Sequence, residues 1–267
     1  LDNTMENSGH LIVERDGATG RIAISNVARR NAGTDSMWRA FAPALDSFAA
    51  DPGIRVILIE GDGGRDFMSG ADIAEFNSRL SQADAVRTVE RSALQAYRAV
   101  WDCAKPTVAV IRGYCLGGGL ALACCCDLRI ASDTARFGIP AVKLGVGYPG
   151  DSMEKIRSLV GPAFMKEILL TGRQFSASEA LRIGLVNTIV PDKELASEAG
   201  SVAASIAAAA PLTVRAIKLI DRDLDKPPVD WNTGRWDQCI AACFASEDFI
   251  EGCTAFAERR APRFMGR

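Results

Sequence analysis

The chain of 267 residues contains a single histidine, His10. That scarcity removes Ser-His-Asp and Cys-His nucleophilic chemistry, unless His10 itself, on an expected first strand, were the base. Paired Cys-x-x-Cys spacing is missing as well, so no zinc ligand set can be assembled and no metal is expected. Positive charge is not in excess: 31 Lys and Arg against 33 Asp and Glu leave a net charge of -2 and a pI near 5.6. Such a balance offers no field for nucleic acid or for an anionic membrane. Apolar runs stay shorter than the roughly 18 residues that a bilayer span needs. Residues 1–9 are polar and carry no apolar signal segment. Eight cysteines do not form a disulfide framework in a chain of this size. Cys124, Cys125 and Cys126 adjoin inside an apolar run, where free cysteine packs as a small hydrophobe. A reducing cytoplasm is the expected setting.

What is present is the balance of a globular domain, 48% hydrophobic and 24% charged. Residues 10–15 and 21–25 read as strands of a hairpin around Asp16-Gly17. Residues 37–50 read as a helix with Thr34, Asp35 and Ser36 as available caps, and Pro43 argues for a kink or a later start. Apolar runs at 55–59 and 107–111 read as buried strands, with a helix at 83–103 between them, stopped by Lys105-Pro106. A helix at 120–126, apolar all round, and a strand at 128–131 follow. Beyond that the pattern is mainly helical, over 153–170, 176–183, 193–210, 212–224 and 234–260, with one strand at 185–190. The expected organisation is an α/β core over 10–205 and a helical C-terminal subdomain over 206–267.

Two glycine-bearing segments point to chemistry. In Ser69-Gly70-Ala71-Asp72-Ile73, the glycine permits a sharp turn, Asp72 can cap the short helix that follows, and the Ala71 N–H can face a cleft. In Gly117-Gly118-Gly119, between a buried strand and a buried helix, bare backbone at a helix N-terminus suits an anion or a carbonyl that becomes one. Taken singly, the first is equally a loop-to-helix junction and the second a close strand–helix contact. The second is neither a phosphate-binding loop followed by Gly-Lys-Ser/Thr nor a dinucleotide fingerprint. Taken together, two convergent N–H donors make an oxyanion hole of the kind a thioester enolate needs.

These segments resemble the crotonase (enoyl-CoA hydratase/isomerase) superfamily. Residues 69–73 are similar to its Ser-Ala-Gly-Ala-Asp segment, and 105–127 to its Lys-Pro, strand, Gly-Gly-Gly, helix, Cys-Asp segment. Phe137-Gly138-Ile139-Pro140, Thr171-Gly172 with 177–186, and 246–264 match further family motifs in order, over nearly the whole chain. The resemblance implies a spiral of ββα units with a C-terminal helical region that builds trimers or hexamers. It implies an acyl-CoA thioester as partner, with coenzyme A carried by the substrate and no permanently bound cofactor. The Ala71 and Gly118 amides would hold the thioester oxygen. Ser69, Asp72, Ile73 and Gly117 would line the coenzyme's path, and Arg30 would meet its phosphates unless it is a solvated arginine. Phe256 would meet the adenine unless it packs in the core.

The chain also departs from that family. Hydratases carry two glutamates for proton transfer, and at the matching positions stand Ala121 and Ala141. Losing both should nearly abolish hydration by the usual route, since each such group contributes about 10²–10⁴-fold. Asp151 and Tyr148 are the nearest alternative acid–base groups, against readings of Asp151 as a helix cap and Tyr148 as packing. Glu75 and Glu154 read as solvated. The candidates that remain are an acyl-CoA enzyme with an altered reaction (decarboxylation, hydrolysis or C–C cleavage), a weak hydratase or isomerase working through Asp151 and Tyr148, and a non-catalytic acyl-CoA-binding scaffold subunit.

Overall fold

The computed structural model describes residues 9–73, 75 and 83–267, so most of the polar N-terminal stretch lies outside the described residues. Strands β1 (His10–Asp16) and β2 (Thr19–Ser25) form the expected hairpin, with His10 opposite Ser25 and Asp16 opposite Thr19. From β2 onward the neighbours are parallel, through β3 (Val56–Gly61), β4 (Thr107–Ile111), β6 (Leu128–Ser132) and β9 (Thr188–Val190), in the order β1-β2-β3-β4-β6-β9. The central strands β3 and β4 are covered on both faces, which is why they read as apolar runs instead of alternating. Val56, Leu58, Val108 and Val110 pack on Leu195, Ala199 and Ala203 of a helix over Leu195–Ala207. Ile57, Ile59, Ala109 and Ile111 face the main core with Trp38 and Phe41 of α1 (Asp35–Ala50). Thr34 is the N-cap of α1, accepting from the Met37 N–H at 3.4 Å, and Pro43 is carried within the helix.

A second, three-stranded sheet holds β5 (Tyr114–Leu116), β7 (Arg136–Gly138) and β8 (Gln174–Ser176) in the order β5-β7-β8. The chain leaves the large sheet at β4, adds β5 to the small one, and enters α3 (Gly118–Cys124); helix α2 (Ala83–Trp101) precedes this turn. It then repeats the path through β6, β7 and α4 (Ala141–Leu144). Met68, just past β3, bridges to Cys115 and so takes the equivalent place one turn earlier. This is the expected ββα spiral. It carries the end of a buried strand directly into a glycine turn and then a helix.

After α5 (Gly150–Thr171), broken at Gly161 and Pro162, come α6 (Ala177–Arg182), α7 (Leu195–Ala207) and α8 (Pro211–Leu224). The continuous helix expected over 234–260 is two helices, α9 (Thr233–Phe244) and α10 (Glu247–Glu258). Ser246 separates them because its hydroxyl caps the new helix, accepting from the Phe249 N–H at 3.1 Å. The expected strand at 185–190 is likewise only β9, since Leu185 and Val186 are buried in the turn before it. The last residues fold back: Asp248 accepts the Met265 and Gly266 N–H groups at 2.6 and 2.8 Å, and Arg55 donates to the Phe264 carbonyl at 2.8 Å. Among the described residues no single helix is long and apolar enough to cross a membrane.

Candidate active site

The two glycine segments meet. Gly70 has φ 111° and Gly117 φ 52°, both in the region that side chains resist. A Cβ on Gly117 would lie 3.7 Å from Gly70 Cα, and one on Gly70 would lie 4.0 Å from Gly118 N. Short ladders fix the two turns. Met68 N–H donates to Tyr114 O and Leu116 N–H to Met68 O, both at 2.9 Å; Gly33 N–H donates to Gly70 O at 2.8 Å and Asp72 N–H to Gly33 O at 3.0 Å. Those bonds bracket Ala71 without using its N–H. Gly117 N–H donates to Gly138 O at 2.8 Å, whereas Gly118 opens α3, where the first N–H groups have no partner in the helix. Among the described residues, neither the Ala71 nor the Gly118 N–H donates to a protein acceptor.

Two phenols face this turn. Tyr148 donates to the Gly117 carbonyl at 3.4 Å. The Tyr97 hydroxyl, which sequence reasoning did not single out, lies 2.9 Å from the point a Gly118 Cβ would occupy. Its ring stands edge-on to fully buried Trp38, 5.5 Å between centroids. Burial pushes both phenols well above the ordinary tyrosine value; the Cys125 thiol adds to it for Tyr97, and Tyr97 adds to it for Tyr148. Both therefore stay protonated across the working pH range and can act only as neutral hydrogen-bonding groups or proton donors.

The remaining expected residues scatter. Ser69 and Arg30 adjoin, the Ser69 N–H donating to the Arg30 carbonyl at 3.1 Å, while the exposed Arg30 guanidinium lies 4.8 Å above the Tyr114 ring. Asp72 is buried, and its carboxylate is held by Arg29 at 2.8 and 3.0 Å and caps the following turn through the Glu75 N–H at 3.3 Å. Ile73 is exposed. Glu75 is not merely solvated, since it accepts the Asp35 N–H at 2.9 Å. Asp151 lies in the first turn of α5, where Pro149 occupies the cap position, so Asp151 is not the cap. Its carboxylate pairs with Arg98 at 2.6 Å and is 61% exposed. Phe256 is 87% exposed beside the hollow between α8, α9 and α10, which removes the core-packing reading. Ala121 is buried in α3, and Ala141 opens α4 half-buried.

A spiral of this topology with paired glycine turns defines a class, and the comparisons give the family. The chain belongs to the enoyl-CoA hydratase/isomerase family, whose sequence model matches residues 14–267. It is 33% identical over 258 residues to a crotonyl-CoA hydratase of Syntrophomonas wolfei, covering 97% of this chain and 98% of that one. It is 34% identical over 233 residues to a carnitinyl-CoA dehydratase of Salmonella typhi, covering 85% and 88%. A crystal structure of an enoyl-CoA hydratase/carnithine racemase from Magnetospirillum magneticum superposes with a TM-score of 0.91 at 36% identity, covering 96% of each chain.

Proposed function

We propose that this protein binds an acyl-CoA thioester with its carbonyl oxygen between the Ala71 and Gly118 amides and stabilises the enolate formed there. The observation that carries this reading is the pair of N–H groups without acceptors among the described residues, set on two glycine turns in mutual contact. A donor of that kind contributes about 3–4 kcal/mol to a barrier when charge develops against it. Ser69, Gly117 and Ile73 line the coenzyme's path, with Arg30 at its phosphate end. Asp72 contributes through the turn it caps rather than through its carboxylate, which Arg29 occupies.

The reaction is one that forms an enolate without a strong base, and decarboxylation is the simplest. Loss of carbon dioxide leaves its electron pair on the thioester, so the oxyanion hole supplies most of what the step needs. Supporting this, Ala121 and Ala141 transfer no proton, and Asp151 is engaged by Arg98 at the surface. Turnover on crotonyl-, malonyl- and β-ketoacyl-CoA tests it. We expect carbon dioxide release from the malonyl thioester and hydration at least a hundredfold below that of a glutamate-bearing relative. Ordinary hydration of crotonyl-CoA would overturn the choice of reaction; binding of all three without turnover would favour a scaffold subunit. The exposed Phe244, Phe249, Ile250 and Phe256 mark the face on which copies of the chain meet as a trimer or hexamer, which the mass in solution tests.

A further inference from the structure

We propose that Tyr97 supplies a third hydrogen-bond donor to the thioester oxygen, beside the Ala71 and Gly118 amides; this rests on the acyl-CoA reading above. The placement comes first. The Tyr97 hydroxyl sits 2.9 Å from where a Gly118 Cβ would be, so only glycine at 118 leaves it room, and it reaches the turn from a different helix than the two glycine segments. Its direction is fixed. The ring meets Trp38 edge-on, with 79° between planes, and Trp38 is clamped against Gly33 and Gly118. Tyr97 is half-buried and packs on the core through this contact.

The partner is what the protein does not provide. Among the described residues no acceptor takes the Tyr97 hydroxyl, whereas Tyr148 already donates to the Gly117 carbonyl. With no protein acceptor, the hydroxyl is available to donate to a ligand that takes the place of solvent there. Burial keeps the phenol neutral, so it offers a proton to an acceptor and cannot serve as a base. The proton stays on Tyr97 throughout, and no covalent bond breaks there. The site then faces the oxygen with three donors, matched to a thioester carbonyl that gains negative charge.

The test compares acetyl-CoA with ethyl-CoA, its thioether lacking the carbonyl, in the wild-type protein and in Tyr97→Phe. Free coenzyme A serves as the integrity control, and infrared spectroscopy reads the carbonyl stretch of bound, ¹³C-labelled acetyl-CoA. We expect the preference for the carbonyl ligand to fall about fivefold or more in Tyr97→Phe, with coenzyme A affinity held and the stretch moved to higher frequency. An unchanged preference and stretch in Tyr97→Phe overturns the role of Tyr97 alone. If the wild-type protein itself shows no preference, the oxyanion-hole reading falls and Tyr97 falls with it. Should Tyr97→Phe not fold, 3-fluorotyrosine incorporated at position 97 keeps the ring and strengthens the donor. The stretch should then move below the wild-type frequency, and no movement overturns the proposal.

Discussion

A methyl group on Gly119 would land 2.7 Å from the Met68 carbonyl oxygen, whereas the nearest neighbours of one on Gly118 are the Tyr97 hydroxyl and, more loosely, the Trp38 ring. Two adjacent glycines therefore do different work. Gly119 lets α3 approach the chain just past β3, and Gly118 leaves the reaction space open. Gly119→Ala forces backbone apart and should cost about 1–3 kcal/mol of stability, read as a lower midpoint in urea. Gly118→Ala presses on one side-chain hydroxyl instead of on backbone, so it should cost less stability than Gly119→Ala while lowering turnover about a hundredfold or more. Equal effects on stability would contradict the distinction.

Lys218 is almost fully buried and ends on the Asp127 carboxylate, which also accepts the Thr107 N–H at 2.6 Å and its hydroxyl at 3.0 Å. The cluster joins the start of β4, the residue just before β6 and the middle of α8. Asp127→Ala strands a buried ammonium and should cost about 3 kcal/mol; adding Lys218→Met should recover part of that loss. Chemical denaturation of the two variants checks the order.

Alkaline pH should weaken the fold through thiols. Burial pushes Cys124 up to about 11 and Cys126 up to about 12, from an ordinary thiol value of 9. Above pH 9 the unfolded chain sheds these protons and the folded chain keeps them, so stability is complete below 9 and is lost as pH rises toward 11–12. The loss is on the order of a few kcal/mol by the end of that window. Melting temperatures of the reduced protein at pH 8, 9 and 10 should be level and then fall; a rise beyond pH 9 would contradict the argument.

Ala141 opens α4 and is half-buried, so a carboxylate there need not be sealed in apolar packing. Ala141→Glu should raise crotonyl-CoA hydration at least tenfold, because a general acid–base group is added to an existing oxyanion hole. An unchanged rate would break the link between position 141 and proton transfer.

The glycine turns were legible in sequence because only glycine holds φ of 111° or 52° comfortably, and a run such as Gly117-Gly118-Gly119 marks itself. The central parallel strands were legible because burial on both faces leaves apolar runs at 56–59 and 108–111. Tyr97 was not. It lies on an amphipathic helix, where an aromatic at the buried face reads the same whether it touches core or ligand. β7 and β8 are three residues each, too short for a period to show. The break at Ser246 had a visible capping residue, but the apolar spacing on either side ran in register and hid it.

Of the eight thiols, Cys103, Cys115 and the three at 124–126 are buried, Cys239 and Cys243 are half-covered, and Cys253 is exposed. A maleimide dye should therefore attach first to Cys253 in the separate folded chain, and more slowly once copies cover the apolar hollow it borders with Phe249 and Phe256. One fluorophore would then report both on copies docking against that face and, as further sulfurs become reactive, on how far the chain has opened.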